Sequence, residues 1–183
     1  MADQKTVLQK YVSDMIALES HIYQAIDKQA KENESDQDVK QHFTNFASTL
    51  QSHQSALESR LKALGGAANS PVKEGVAAVF GVAAGVIDKL RSDEQSKDFR
   101  DDYTALNLSL ISYQMLHTTA VALGDKATAD LAASHAKDNA EFVSYIQHIL
   151  PQVIINELKK NYDVTVDENA TQQTKELVGN IWK

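Results

Sequence analysis

The sequence predicts an all-α chain: a four-helix bundle with a long helical crossover between the second and third helices and a C-terminal helical extension. Three observations predict it. Apolar residues recur at alternating intervals of four and three over four long stretches, the spacing that gathers them on one helical face. Two prolines and seven glycines are few breakers for 183 residues, so long helices are allowed. The first and last connections are short, which makes the helices they join antiparallel neighbours.

Helix 1 is expected from about Asp3, its N-cap, to Lys31. Its seam is Leu8, Val12, Met15, Glu19, Ile22 and Ile26. The polar stretch Glu32 to Asp36 is the turn. Helix 2 follows to Leu64, with Val39, Phe43, Phe46, Leu50, His53, Leu57, Leu61 and Leu64 on its seam, and stops at the helix-terminating pair Gly65-Gly66.

The crossover spans about residues 67–97. Pro71 sits at the first turn of a short helix, and Val76 to Ile87 is uninterrupted in small apolar residues. Gly81 and Gly85 give that run a spacing at which helices approach closely. It is too short to span a bilayer and is flanked by charges, so packing on the bundle or on a twin subunit is expected. Insertion into lipid or a hydrophobic partner is the alternative.

Helix 3 is expected from about Lys97 to Leu123, with Phe99, Tyr103, Leu106, Leu110, Tyr113, His117 and Ala120 on the seam. Leu108, Ile111 and Met115 lie off it, so this is either the most buried helix or the lining of a subunit interface. Helix 4 starts at or just after Asp125 and reaches about Lys160. Its expected seam is Leu131, His135, Asp138, Phe142, Tyr145 and Ile149, and Pro151 should kink it near residues 147–150. The bundle is therefore residues 1–160 and the extension residues 161–183. The extension reads as an extended piece at residues 162–166, then a short helix with Leu177, Val178, Ile181 and Trp182 on one side.

Hydrophobic residues at 43% and charged residues at 23% fit an ordinary globular chain. The net charge of −7 disfavours nucleic acid as a partner. Without cysteine there are no disulfides, thiolate metal sites or cysteine nucleophiles. No apolar signal core opens the chain and no run reaches the length of a membrane span, so a membrane partner is not expected.

On the seams of helices 1 and 2 one position each is polar, Glu19 and His53. A buried carboxylate or imidazole without a partner costs several kcal/mol or changes protonation, so each needs a partner or a metal. His53 lies eleven residues before Leu64, and Asp138 is about as far into helix 4, which places them at one level. His135 and Asp138 share a face at i and i+3. Glu19, His53, His135 and Asp138 could hold one zinc, iron or manganese ion. The alternative is a buried hydrogen-bond network, with Glu19 paired to protonated His53 or bonded to Tyr113 or Ser109. His117 reads as a satisfied core or interface residue, and His21, His42 and His148 as surface or rim residues. No nucleophile elbow and no glycine-rich loop after a strand supports a hydrolase or a nucleotide-binding protein.

The residues from Val12 to Ile26 resemble the first helix of the YciF/YciE-like family of bacterial ferritin-like stress proteins. The likeness continues at Gln51 to His53, at Ser112-Tyr113 and at the Leu123-Gly124 turn, covering residues 7–150. It implies a ferritin-like bundle, a di-iron centre, a bacterial cytoplasmic setting and a homodimer. Carried over, the family's first-helix carboxylate is Glu19 and its second-helix histidine is His53. The glutamate three residues before that histidine is replaced by Leu50. The Glu-His-x-Glu cluster of helix 3 falls on Leu106, Asn107 and Ser109, and the acidic cluster of helix 4 keeps only Asp138, between Lys137 and Asn139. A two-iron centre needs about six carboxylate or imidazole ligands. The expected function is accordingly a non-catalytic, stress-associated protein without cofactor, acting by assembly or partner binding. A metal-dependent ferroxidase or oxidase using Glu19, His53, His135 and Asp138 is the alternative. A third reading is a membrane- or protein-binding module using residues 76–87.

Overall fold

A computed structural model describes residues 3–32, 36–67 and 94–181. Among them are five helices: α1 (Gln4–Glu32), α2 (Gln37–Ala63), α3 (Gln95–Ala122), α4 (Lys126–Asn161) and α5 (Ala170–Ile181). Helices α1 to α4 form an all-α ferritin-like bundle. The predicted crossover helix, with its apolar run at residues 76–87, and Trp182 lie outside the described residues.

The ends of the helices follow from local chemistry. Asp36 caps α2, accepting from the backbone N–H groups of Asp38 and Val39. After α2 the chain turns at Gly65, whose φ of +88° is open to glycine at little cost. Gly124, at φ +70°, does the same after α3, and Asp125 then caps α4 by accepting from Thr128 N–H. Glu94, before α3, makes no side-chain cap. A neighbouring helix supplies the acceptor instead: Ser96 N–H donates to Glu157 of α4 at 2.8 Å.

Packing is closest between α1 and α2 and between α3 and α4, with α1 on α3 and α2 on α4 closing the bundle. An aromatic layer holds one level. Phe43 stacks on Phe99 and meets Phe142 edge-on, and Phe46 stacks on Phe142. Nearer the α2 C-terminus, Arg60 Nε donates to buried Thr128 at 2.7 Å, and its guanidinium pairs with Asp125. This clamp brings the end of α2 to the start of α4, the alignment on which the expected site depends.

The seams of α1 and α2 are buried as the spacing predicts. Two other expectations are corrected. On α3, His117 is exposed and the neighbouring Leu116 is fully buried. On α4 the buried stripe runs through Thr128, Ala132, His135, Asn139, Phe142 and Ile146, so Asp138 and Tyr145 sit beside the core instead of in it. A period of 3.6 drifts from a strict 4-3 seam along a helix, and burying an amide is cheaper than burying a carboxylate. The off-seam residues Leu108, Ile111 and Met115 are exposed, which removes the reading of this helix as buried all round. Helix α4 continues without interruption through Pro151.

The tail crosses in an extended segment after Tyr162 and ends in α5, none of whose residues is buried. Ala170, Thr174 and Val178 of α5 line a cavity of about 400 Å³ over Leu150, Pro151 and Ile155 of α4. Leu177 and Ile181 face away from it and are exposed.

Candidate functional site

Four helices converge on Glu19 at mid-height of the bundle. Its carboxylate has no exposure to solvent. His53 Nδ1 of α2 donates to it, at 3.2 and 3.3 Å from its two oxygens. From α4, the Asn139 amide donates to Glu19 Oε1 at 3.2 Å and to Ser109 Oγ of α3 at 2.9 Å. The other nitrogen of His53, Nε2, donates to Asp138 Oδ2 at 3.1 Å. One imidazole thus bridges two carboxylates, one fully buried and one with 40% of its side chain exposed. Both ring nitrogens can donate together only when the ring is protonated.

His135 lies against the same imidazole. The ring centroids are 3.7 Å apart and the planes differ by 8°. His135 Nδ1 is 2.9 Å from the Tyr113 hydroxyl, which also reaches Glu19. With its proton directed at Glu19, the phenol accepts from Nδ1–H of a neutral His135.

The electrostatics agree with this assignment. Burial would strip the proton from His53, but the hydrogen bonds and charges of Glu19 and Asp138 outweigh it and hold the ring above its usual value of 6.5. Burial, reinforced by the adjacent His53 charge, pushes His135 down to about 3 against a weaker pull from Asp138. Burial and the charge of Glu19 hold the Tyr113 phenol far above its usual range. These shifts favour a protonated His53 beside a neutral His135 and a neutral Tyr113 phenol.

All four sequence-derived candidates meet here, and so do Tyr113 and Ser109 from the network reading. Asn139 is the central donor that the seam pattern passed over. Its signal was its place four residues after His135, on the same face.

A metal of the kind the ferritin-like fold implies does not fit these residues as arranged. One donor atom from each of Glu19, His53 and His135 lies within 4.8 Å of the others. An ion bound to imidazole sits in the ring plane, and two parallel planes stacked face to face share no such point. Both nitrogens of His53 already serve carboxylates. The remaining positions hold Leu50 and Leu106, both fully buried, beside Ser109 and Asn139, and none of these supplies a bridging carboxylate.

Residues 3–159 match the family described as "Domain of unknown function (DUF892)". The chain belongs to DUF892. This DUF892 chain shares its fold with a protein from Xanthomonas campestris pv. campestris, whose crystal structure superposes with a TM-score of 0.72 at 16% identity. The match covers 86% of the DUF892 chain described here and 98% of the Xanthomonas chain. No curated protein matches it.

Proposed function

We propose that the protein is a non-catalytic, stress-associated member of the ferritin-like group, in which a hydrogen-bonded polar centre stands where the resemblance to the YciF/YciE-like family implies a di-iron centre. It acts by assembly, as a cytoplasmic homodimer. The observation that carries this reading is the bridging of Glu19 and Asp138 by both nitrogens of His53. A positive ring between two carboxylates supplies the charge that a cation would otherwise supply, and it leaves no lone pair on His53 for an ion. The YciF/YciE-like pattern around Glu19, His53 and Tyr113 supports the stress-associated role and the bacterial setting. The absence of cysteine suits a reducing compartment.

Elemental analysis of the purified protein tests it, before and after incubation with ferrous iron in air, beside the Glu19→Ala/His53→Ala double variant. The expected result is no stoichiometric metal in either protein. Iron, manganese or zinc near one ion per chain, lost in the double variant, overturns the reading. It would favour instead a metal-dependent oxidase, which the closeness of donor atoms on Glu19, His53 and His135 supports and which requires the His135 ring to turn.

A further inference from the structure

Helix α5 lies on α4 with its smaller side chains inward. Ala170, Thr174 and Val178 recur every four residues and line the cavity, while Leu177 and Ile181, 59% and 62% exposed, look outward. A rotation of α5 by about one residue, roughly 100°, would set the two larger side chains against α4 instead. The space left is about 400 Å³, bounded also by Pro151 and Ile154 of α4 and by Arg100 and Tyr103 of α3. Protein interiors hold few voids larger than a water molecule, and an apolar wall without partner atoms forfeits their attraction. The volume falls within the ~300–1,000 Å³ of small-molecule pockets.

We propose that this cavity binds a single-chain amphiphile, a medium-length hydrocarbon chain ending in one carboxylate, with the chain between α4 and α5 and the carboxylate on Arg100. The walls that would hold the chain are aliphatic: Leu150, Ile154 and Ile155 on one side, Ala170 and Val178 on the other. The head is selected by charge. Arg100 is the one charged residue among the described residues that line the cavity, in a chain of net charge −7. Its Nε and one terminal nitrogen reach Asp101 Oδ1 at 2.9 and 2.8 Å, and 53% of its side chain stays exposed. A guanidinium has five N–H donors, so part of the fork remains for a second carboxylate. A cationic head finds no acidic group among these lining residues. Helix α5 can yield to admit the chain. None of its residues is buried, and it meets α4 through exposed pairs, Thr171 with Gln152 at 3.4 Å and Lys175 with His148 at 3.3 Å. The cavity shares no residue with the polar centre, so this site and the metal-free reading stand or fall separately.

Isothermal titration calorimetry of the full chain with decanoate, well below its micelle concentration, tests the site. One site per chain with a Kd below ~1 mM is expected. Arg100→Ala should weaken binding at least ~10-fold, and Asp101→Asn should tighten it ~2–5-fold by freeing the guanidinium. Val178→Glu should abolish binding, and Leu177→Glu on the outward side of α5 should leave it unchanged. Neither position is buried, so both variants should keep native helical content by circular dichroism. Decanol should bind at least ~10-fold more weakly than decanoate, and decyltrimethylammonium should not bind. Decanoate should also slow hydrogen exchange of the α5 amides. A native chain that binds no decanoate overturns the proposal, as does binding that Val178→Glu leaves intact. Equal affinity for decanol and decanoate, or an Arg100→Ala chain that binds as the native one does, overturns the carboxylate assignment.

Discussion

His53 and His135 lie face to face with centroids 3.7 Å apart, and their environments set them in opposite protonation states. Two carboxylates hold a proton on one ring, and burial beside that charge keeps the other neutral. The pair is stable because the difference removes the repulsion that two imidazolium rings would have at this distance.

This asymmetry fixes a pH dependence. The folded His53 binds its proton more tightly than the unfolded chain does, so its contribution is complete below pH 6.5 and declines as pH rises through its raised value. His135 is the reverse: its folded value of about 3 lies below 6.5, so stability falls as pH drops from 6.5, where the unfolded ring gains a proton that the folded ring refuses. Stability should therefore peak near pH 6.5, with each limb no steeper than about 1.4 kcal/mol per pH unit from this pair. Urea unfolding at half-unit steps from pH 5 to 8 measures it. His135→Leu/Tyr113→Phe should flatten the acidic limb between pH 5 and 6.5, and an unchanged slope would sink the assignment.

Charge pairing across the centre should appear as strong non-additivity. Glu19→Leu alone leaves His53 and Asn139 without their buried acceptor and should cost about 3–5 kcal/mol. Adding His53→Leu should restore most of that loss, because two leucines replace the pair inside an apolar shell. Denaturant unfolding of both single variants and the double variant supplies the cycle. Additive losses would mean that the two residues do not act as a unit.

The Arg60 clamp should matter more than its position near a helix end suggests. Arg60→Ala removes a donor from Thr128, which is fully buried, and the partner of the capping Asp125. A loss of about 1–2 kcal/mol is expected, concentrated at the α2–α4 end. Hydrogen exchange should show faster opening of the first turn of α4, with the distant Phe43 layer unchanged.

The tail should contribute little to the stability of the bundle. Because α5 buries no residue, removing residues 163–183 should lower the melting temperature by less than about 4 °C. In the intact chain its amides should exchange faster than those of α4. Calorimetry on the shortened chain checks the first expectation, and a drop beyond 10 °C would contradict it.

The seams of α1 and α2 were legible because each carries a large apolar residue at almost every inward position, and the single polar interruption in each therefore stood out. Helix α4 was harder to read. Its inward stripe is Thr128, Ala132, His135 and Asn139, small or polar residues that a hydrophobic pattern does not weigh, while the larger Leu131 and Tyr145 flank it. His117 was misplaced because residues 116 and 117 both continue a helical period, and the choice depends on a drift of tens of degrees that only packing resolves. The level match of His53 with Asp138 could be read from counting residues, since antiparallel helices translate sequence offset directly into height. The stacking of two imidazoles, and with it the geometry against an in-plane ion, could not, because ring orientation depends on neighbours from three other helices.

Asp138 has a further consequence. It is the partly exposed end of an otherwise enclosed relay, its carboxylate touching solvent on one side and His53 on the other. A proton can therefore reach or leave the interior by way of one side chain, without any helix separating. The centre should equilibrate with bulk pH on the timescale of side-chain motion instead of that of unfolding, so its imidazole resonances should titrate in fast exchange while the backbone amides around them stay protected.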